Sequence, residues 1–207
     1  MSCKYPEYID VNKIKCDTKK LYNNIYQRNY LNIPLKDDNN GDINIILMNP
    51  SIANSTISDR TVNNIITYFE NSKFSSVTIL NLFPIYQTQS ENLYDLIIKI
   101  VNDKSSDLMR KVLDENLDKI KLNINKSSDV VLAWGDCPAN FNSVLYFNTI
   151  YKVLSYLDIS KNIYCFDFEK SSVLTKNGNP YHPSRKGNIV GLKQLSLNPV
   201  LMTLFTT

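Results

Sequence analysis

An apolar run stands at residues 43–51, which read INIILMNPS. Isoleucine and leucine dominate its first six positions, and Pro50 ends it because proline has no backbone N–H with which to continue a sheet ladder. Unbroken apolar runs of this length are typical of strands buried on both faces of a sheet. The run therefore predicts a buried strand at residues 43–48, followed by the polar segment Asn49-Pro50-Ser51.

Three more runs of this kind follow along the chain. They read VTILNL at residues 77–82, DVVLAW at residues 129–134 and IYCFDF at residues 163–168. Segments with apolar residues at helical spacing separate the four runs. Because parallel neighbours need long crossover connections, this alternation indicates parallel strands with helices on both faces. The expected fold class is α/β, a three-layer α/β/α sandwich.

Capping residues and apolar spacing predict where the helices lie. Asp59 is a favourable N-cap for a helix over about residues 60–71. Proline is tolerated in the first turn of a helix, so Pro138 is expected to begin another. The remaining helices are expected at residues 93–101, from Ser106 onward and near Leu192.

The N-terminal segment differs in character from the rest of the chain, because it is rich in Tyr, Asn and Lys. Leu21 and Ile25 are four positions apart, which fits one face of a short helix. Residues 1–42 are therefore predicted to be a helical or irregular segment. Residues 43–195 are predicted to form the α/β core, and residues 1–207 together a single domain.

Composition argues against several classes of protein. The 207 residues carry 23 Lys and Arg against 20 Asp and Glu, and the net charge of +3 does not by itself indicate a nucleic-acid binder. There is one histidine, and the four cysteines form no C-x-x-C pair, so no metal and no cofactor are predicted. No apolar run approaches the roughly 20 residues that cross a bilayer, and no signal-peptide-like stretch is present, so we expect a cytoplasmic protein without membrane contact.

Polar residues stand where the predicted strands end. They are Asn49 after the first strand, Asn81 in the second, Trp134-Gly135-Asp136 at the third, and Tyr181-His182-Pro183-Ser184 in the loop after the fourth. Asparagine and serine also cap helices and close turns, and a single histidine is often structural. The carboxyl ends of parallel strands, however, meet at one edge, where α/β proteins bind ligands. The joint placement therefore predicts a pocket at this edge.

Several segments together resemble the bacterial domain-of-unknown-function family numbered 1643, over about residues 43–190. The segments that carry the resemblance are residues 47–51, Asp59 with Thr61, residues 81–83 with Thr88, residues 133–135 and residues 175–183. Their arrangement is in turn similar to the uracil-DNA glycosylase superfamily. That similarity implies a central four-stranded parallel sheet with strand order 2-1-3-4 and a site at its carboxyl edge.

The superfamily's motifs also imply roles for residues. Asn49 with Pro50 matches the loop that holds the hydrolytic water, and Asn81 matches the asparagine that reads the base. The segment His182-Pro183-Ser184 matches the loop that contacts base and backbone. The implied partner is DNA or a nucleotide, and the implied activity is that of a DNA glycosylase.

The chemistry of such a reaction can be matched to the residues directly. Hydrolysis of an N-glycosidic bond needs a positioned water, stabilisation of a cationic sugar and a donor to the departing base, after the nucleotide leaves the stack. Neutral His182 is the predicted donor and Asn49 the predicted water ligand. Asn81 is the predicted partner for the hydrogen-bonding edge of the base.

The other predicted site residues each have a structural alternative. Asp59 is a candidate general base but also a helix cap. Tyr86 and Trp134 are candidates for base stacking, although Trp134 also fits a buried strand end. The candidate phosphate contacts are Ser51, Ser184, Arg185 and Lys186, and the two cations would also be stable as solvated loop residues.

Three functions remain open on the sequence. The first is a glycosylase-like protein whose pocket binds a nucleobase or nucleotide and which acts on or binds DNA. The second is a catalytically inert DNA-binding or protein-interaction module, since no apolar wedge follows His182-Pro183-Ser184. The third is a hydrolase or transferase of a free nucleotide-like molecule.

Overall fold

The computed structural model describes residues 2–36, 41–169, 172–184, 187–198 and 203–206. The helices are α1 (Arg60–Phe69), α2 (Leu93–Asp103), α3 (Ser106–Lys126) and α4 (Ser143–Leu154), with short 3-10 turns at Val11–Lys13 and Ser90–Asn92. The strands are β1 (Ser2–Cys3), β2 (Lys15–Tyr22), β3 (Ile25–Pro34), β4 (Asp42–Leu47), β5 (Ser58–Asp59), β6 (Ser76–Asn81), β7 (Asp129–Leu132), β8 (Asn162–Phe168), β9 (Ile189–Asn198) and β10 (Thr203–Thr206). Within these described parts of the chain, no helix is long and apolar enough to cross a membrane.

The main sheet is mixed, with the strand order β10-β9-β8-β7-β4-β6-β3-β2. At its centre, β4 pairs in parallel with β6 and β7, and β7 pairs in parallel with β8. Antiparallel strands extend both sides, β3 beside β6 and β9 beside β8. The α/β class is therefore confirmed. The sheet is larger and mixed and so does not match the predicted sheet of four parallel strands, although its parallel centre runs β6-β4-β7-β8, which is the order 2-1-3-4.

Alternate residues of the central strands face two separate layers of core. On one face, Ile46, Leu80 and Val130 pack with the apolar residues of α2, α3 and α4. On the other, Ile45 and Ile79 pack with the buried stripe of α1, which consists of Val62, Ile65, Ile66 and Phe69. Because these strands have helices on both sides, both of their faces must be apolar, as their sequences indicated.

The predicted helix in the N-terminal segment is wrong. Leu21 and Ile25 lie instead on β2 and β3, which form a hairpin through a tight turn. Asn23 occupies that turn with φ of 47°, a left-handed conformation that asparagine adopts more readily than most residues. Two apolar residues four positions apart fit a helix face, but they also fit the two sides of a short hairpin turn, and pairing of β3 with β6 favours the hairpin.

The helices over residues 60–71 and 93–101 and the long helix after Ser105 were predicted correctly to within a few residues. Two other predictions were wrong. The helix expected from Pro138 begins only at Ser143, because Asn142 is its N-cap and accepts a hydrogen bond from the backbone N–H of Leu145. The helix expected near Leu192 is strand β9, whose Leu192 lies opposite Phe166 of β8.

Candidate functional site

An open cavity of about 890 Å³ lies at the carboxyl ends of β4 and β7, at the edge of the sheet where a pocket was predicted. The loops after β4, β6 and β7 surround it together with the loop before β9. Five of the residues predicted for the site line it: Asn49, Ser51, Trp134, His182 and Ser184. Its size is within the range of cavities that hold small molecules.

The amide of Asn49 has a fixed orientation. Its Nδ2 donates to the backbone carbonyls of Pro50, at 3.0 Å, and Gln87, at 2.7 Å. Carbonyl oxygens only accept hydrogen bonds, so the nitrogen of the amide must face them. The amide oxygen Oδ1 has no hydrogen-bond partner among the described residues, and Asn49 lines the cavity. Asn49 can therefore offer an acceptor to water or to a ligand.

Gly135 brings the last loop against the end of β7. Its φ is +79°, and a Cβ at this position would lie 3.2 Å from the Cβ of His182. Its N–H donates to the carbonyl of Pro180 at 2.8 Å, and its own carbonyl accepts a hydrogen bond from the hydroxyl of Tyr146. Glycine is needed here both for its backbone conformation and for this close approach, which positions His182.

His182 is held in one tautomer by the loop. The backbone N–H of Ser184 donates to its Nδ1 at 3.2 Å, and the Ser184 hydroxyl lies 2.8 Å from the same nitrogen. An Nδ1 that accepts a backbone N–H carries no proton, so the neutral ring carries its proton on Nε2. The donor of a neutral His182 is therefore Nε2.

Asp136 lines the cavity, and from the sequence it was named at a strand end without being given a role. Its Oδ1 accepts hydrogen bonds from the Thr175 hydroxyl at 2.6 Å and from Nδ2 of Asn179 at 2.8 Å. Its Oδ2 has no partner among the described residues, and the residue is exposed. The position directly after Trp134-Gly135, at a strand end, was a signal that could have identified it.

Trp134 belongs mainly to the core. It is 2% exposed, and its indole Nε1 lies 3.4 Å from Oδ1 of Asn179. It borders the cavity but offers little ring surface for stacking. Beside it, burial and the nearby Asp136 carboxylate raise the pKa of the Cys137 thiol, which disfavours its thiolate form.

Asn81 and Tyr86 do not reach the cavity, although they lie at the same end of the sheet. Asn81 is fully buried, and its Oδ1 accepts a hydrogen bond of 2.7 Å from Nη2 of Arg28. The Tyr86 hydroxyl donates to the carbonyl of Ala53 at 3.0 Å. Nη1 of Arg28 donates to that same carbonyl at 2.8 Å. These side chains anchor the loop after β4, which carries Asn49, from beneath.

The Asp59 side chain also has a structural role. Its Oδ1 accepts the backbone N–H of Val62 at 2.9 Å, which makes it the N-cap of α1. It does not border the cavity, although Thr61, two residues later, does. The predicted phosphate contacts Arg185 and Lys186 lie outside the described residues.

The described lining of the cavity carries negative charge. Asp136 and Glu91 are its ionisable carboxylates, and no lysine or arginine is found among the lining residues that the structure describes. Across the described residues there is also no group of three or more His, Cys, Asp or Glu side chains arranged to hold a metal ion. This lining suits an uncharged ligand better than a phosphate.

Comparison with known proteins identifies a family but no individual relative. No curated protein matches the chain, and no solved structure matches it. The family model described as "Protein of unknown function (DUF1643)" matches residues 28–184, which is more than half of the chain. The matched region includes every described residue that lines the cavity, from Met48 to Ser184. The chain belongs to the DUF1643 family of proteins of unknown function.

Proposed function

We propose that the cavity binds a nucleobase with its attached sugar and that the protein hydrolyses the N-glycosidic bond between them, as a glycosylase-like enzyme. One observation carries the proposal: a fixed donor, a fixed acceptor and a carboxylate line the same cavity. They are Nε2 of His182, Oδ1 of Asn49 and Oδ2 of Asp136. These are the three groups that the reaction needs.

Each group has a role in the proposed reaction. Asn49 Oδ1 accepts a hydrogen bond from the attacking water and so orients it. The water oxygen forms a bond to the anomeric carbon as the bond to the base nitrogen breaks, and the electron pair leaves with the base. Asp136 stabilises the positive charge that develops on the sugar and accepts the proton of the water, while His182 donates a hydrogen bond to the departing base.

DNA is the proposed partner because the family motifs resemble those of the uracil-DNA glycosylase superfamily. A nucleotide in DNA would have to leave the stack to enter the cavity. Ser51 and Ser184 line the cavity and are the described hydroxyls proposed to contact its phosphates. Arg185 and Lys186, directly after Ser184 in the sequence, are proposed as further phosphate contacts.

A free nucleoside is the second candidate substrate. The acidic character of the described lining favours it, because Asp136 and Glu91 would repel a phosphate placed next to them. The reaction and the roles of the three groups are the same for either substrate. The inert binding module is a third reading, which an absence of hydrolysis together with binding would support.

The experiment compares base release from two sets of substrates. The first set is oligonucleotides that contain uracil, hypoxanthine or a mismatch. These are treated with alkali after incubation, which cleaves abasic sites. The second set is free nucleosides. We expect release from at least one set and a rate about 100-fold lower for Asp136→Asn. Asp107→Asn is the matched control, because Asp107 is an exposed carboxylate outside the cavity. No release from either set, or equal rates for both variants, would contradict the proposal.

A further inference from the structure

Arg28 is a buried cation without a carboxylate partner among the described residues. It is 2% exposed, and its polar contacts are the carbonyl of Ala53 and Oδ1 of Asn81, both neutral. The guanidinium also lies 5.7 Å from the ring centroid of Tyr86. Arginine cannot lose its proton in a protein, and a buried charge is costly unless an opposite charge compensates it.

A bulge in β3 accounts for the direction of this side chain. Tyr30 pairs with Asp17 and Arg28 with Thr18, so Asn29 is the extra residue in the ladder. Nδ2 of Asn29 contacts Asp17 and Glu115 on one face of the sheet. Arg28 contacts Ala53 on the other. The bulge therefore turns Arg28 away from the acidic groups nearest to it in the hairpin.

Two buried donors of the Arg28–Asn81 pair have no acceptor among the residues that the structure describes. They are Nε of Arg28 and Nδ2 of Asn81. The orientation of the Asn81 amide is fixed, because Nη2 of Arg28 only donates and must face the amide oxygen. Unpaired buried donors are rare in folded proteins, so this pair points to an acceptor that binds there.

The neighbouring groups do not supply the missing negative charge. Burial raises the pKa of the Tyr5 and Tyr86 hydroxyls, so both are neutral at physiological pH. Each donates instead to a backbone carbonyl, Tyr5 to Asn54 at 2.6 Å and Tyr86 to Ala53. The Asp59 carboxylate caps α1 and makes no ion pair with Arg28.

We infer that the Arg28–Asn81 pair is a binding site for a small oxyanion, either inorganic phosphate or a carboxylate. The oxygens of such an anion accept hydrogen bonds from Nε of Arg28 and Nδ2 of Asn81, and its charge compensates the guanidinium. The half-buried ring of Tyr86 lies over the guanidinium, and its hydroxyl lies 3.4 Å from that of exposed Thr18. Neither Arg28 nor Asn81 lines the large cavity, so this inference does not rest on the proposed function.

The test measures melting temperature against the concentration of sodium phosphate and, separately, sodium acetate, with sodium chloride holding the ionic strength constant. We expect a rise for at least one anion that begins near its dissociation constant and reaches about 5 to 10 °C at a hundred times that concentration. A response to phosphate alone or to acetate alone identifies which of the two chemistries the site accepts. The absence of such a rise for both anions would overturn the inference, since a water molecule would then be the acceptor.

Asn81→Asp is the decisive variant, because it places a carboxylate beside Arg28 without changing the size of the side chain. We expect this variant to have a higher melting temperature than the parent without added anion, and to lose the response to added anion. Arg28→Gln should also lose the response, and Arg110→Gln, a change of an exposed arginine, should keep it. If Arg28→Gln does not fold, Asn81→Asp alone decides. An unchanged response in Asn81→Asp would contradict the site.

Discussion

Asn49 and Asn81 stand at the carboxyl ends of neighbouring parallel strands, yet the amide of Asn49 contacts hydrogen-bond acceptors and the amide of Asn81 contacts a donor. Asn49 donates through Nδ2 to two carbonyls, which leaves its oxygen available at the cavity. Asn81 accepts through Oδ1 from Arg28, and its nitrogen has no partner in the part of the chain that the structure describes. The comparison shows that position at a strand end does not by itself make an asparagine a ligand contact. The chemistry of the neighbouring side chains decides which half of the amide is available.

Of the predicted effects on stability, that of substituting Gly135, which lines the cavity, should be the largest. We expect Gly135→Ala to lower the free energy of unfolding by about 2 to 4 kcal/mol, because alanine is strained at a φ of +79° and its Cβ would approach that of His182. Gly178→Ala is the matched control, since Gly178 has a φ of +76° but open space around it. Urea unfolding measures both. Equal losses would show that the contact with His182 contributes nothing.

The two asparagines should respond differently to truncation. Asn81→Ala leaves Nη2 of Arg28 without its acceptor in a buried site, so we expect a loss of about 1 to 3 kcal/mol in the free energy of unfolding. Asn49 is half-buried, and Asn49→Ala should cost less stability but abolish most base release. Urea unfolding and the base-release assay together separate the two. The reverse pattern would mean that Asn81, not Asn49, is the functional residue.

Asp59 can be tested as a cap and as a base with two substitutions. Asp59→Ala removes the side chain that caps α1 and should cost about 1 kcal/mol. Asp59→Asn keeps a good N-cap while removing the carboxylate, so we expect both stability and base release to stay near those of the parent. If Asp59→Asn retains stability but loses base release, Asp59 is the general base after all.

Sequence reasoning located much of this fold because the central strands are buried on both faces. Their unbroken apolar runs and the capping residue Asp59 are local signals, and the elements they predicted are present. The hairpin of β2 and β3 was missed because the spacing of Leu21 and Ile25 fits two structures. Only long-range pairing with β6 distinguishes between them.

The site was predicted in part for the same reason. Asn49 and His182 reach the cavity because the strand-edge rule depends only on parallel order along the chain. The direction of the Arg28 side chain could not be predicted, because it depends on a bulge at Asn29 that no local sequence pattern indicates. Without Arg28 the burial of Asn81 could not be foreseen. Asp136 was named at its strand end but given no role, because the orientation of its carboxylate depends on contacts with Thr175 and Asn179, about 40 residues away.

The most direct test of the central claim measures both the melting temperature and the rate of base release, for His182→Ala and for the parent protein. As a donor through Nε2 to the departing base, His182 should contribute a factor of about 5 to 150 to binding or rate, equivalent to about 1 to 3 kcal/mol. We expect base release to fall by that factor while the melting temperature changes by less than about 2 °C. A fall of several degrees with base release per folded molecule unchanged would show that His182 is a structural histidine and would contradict the account.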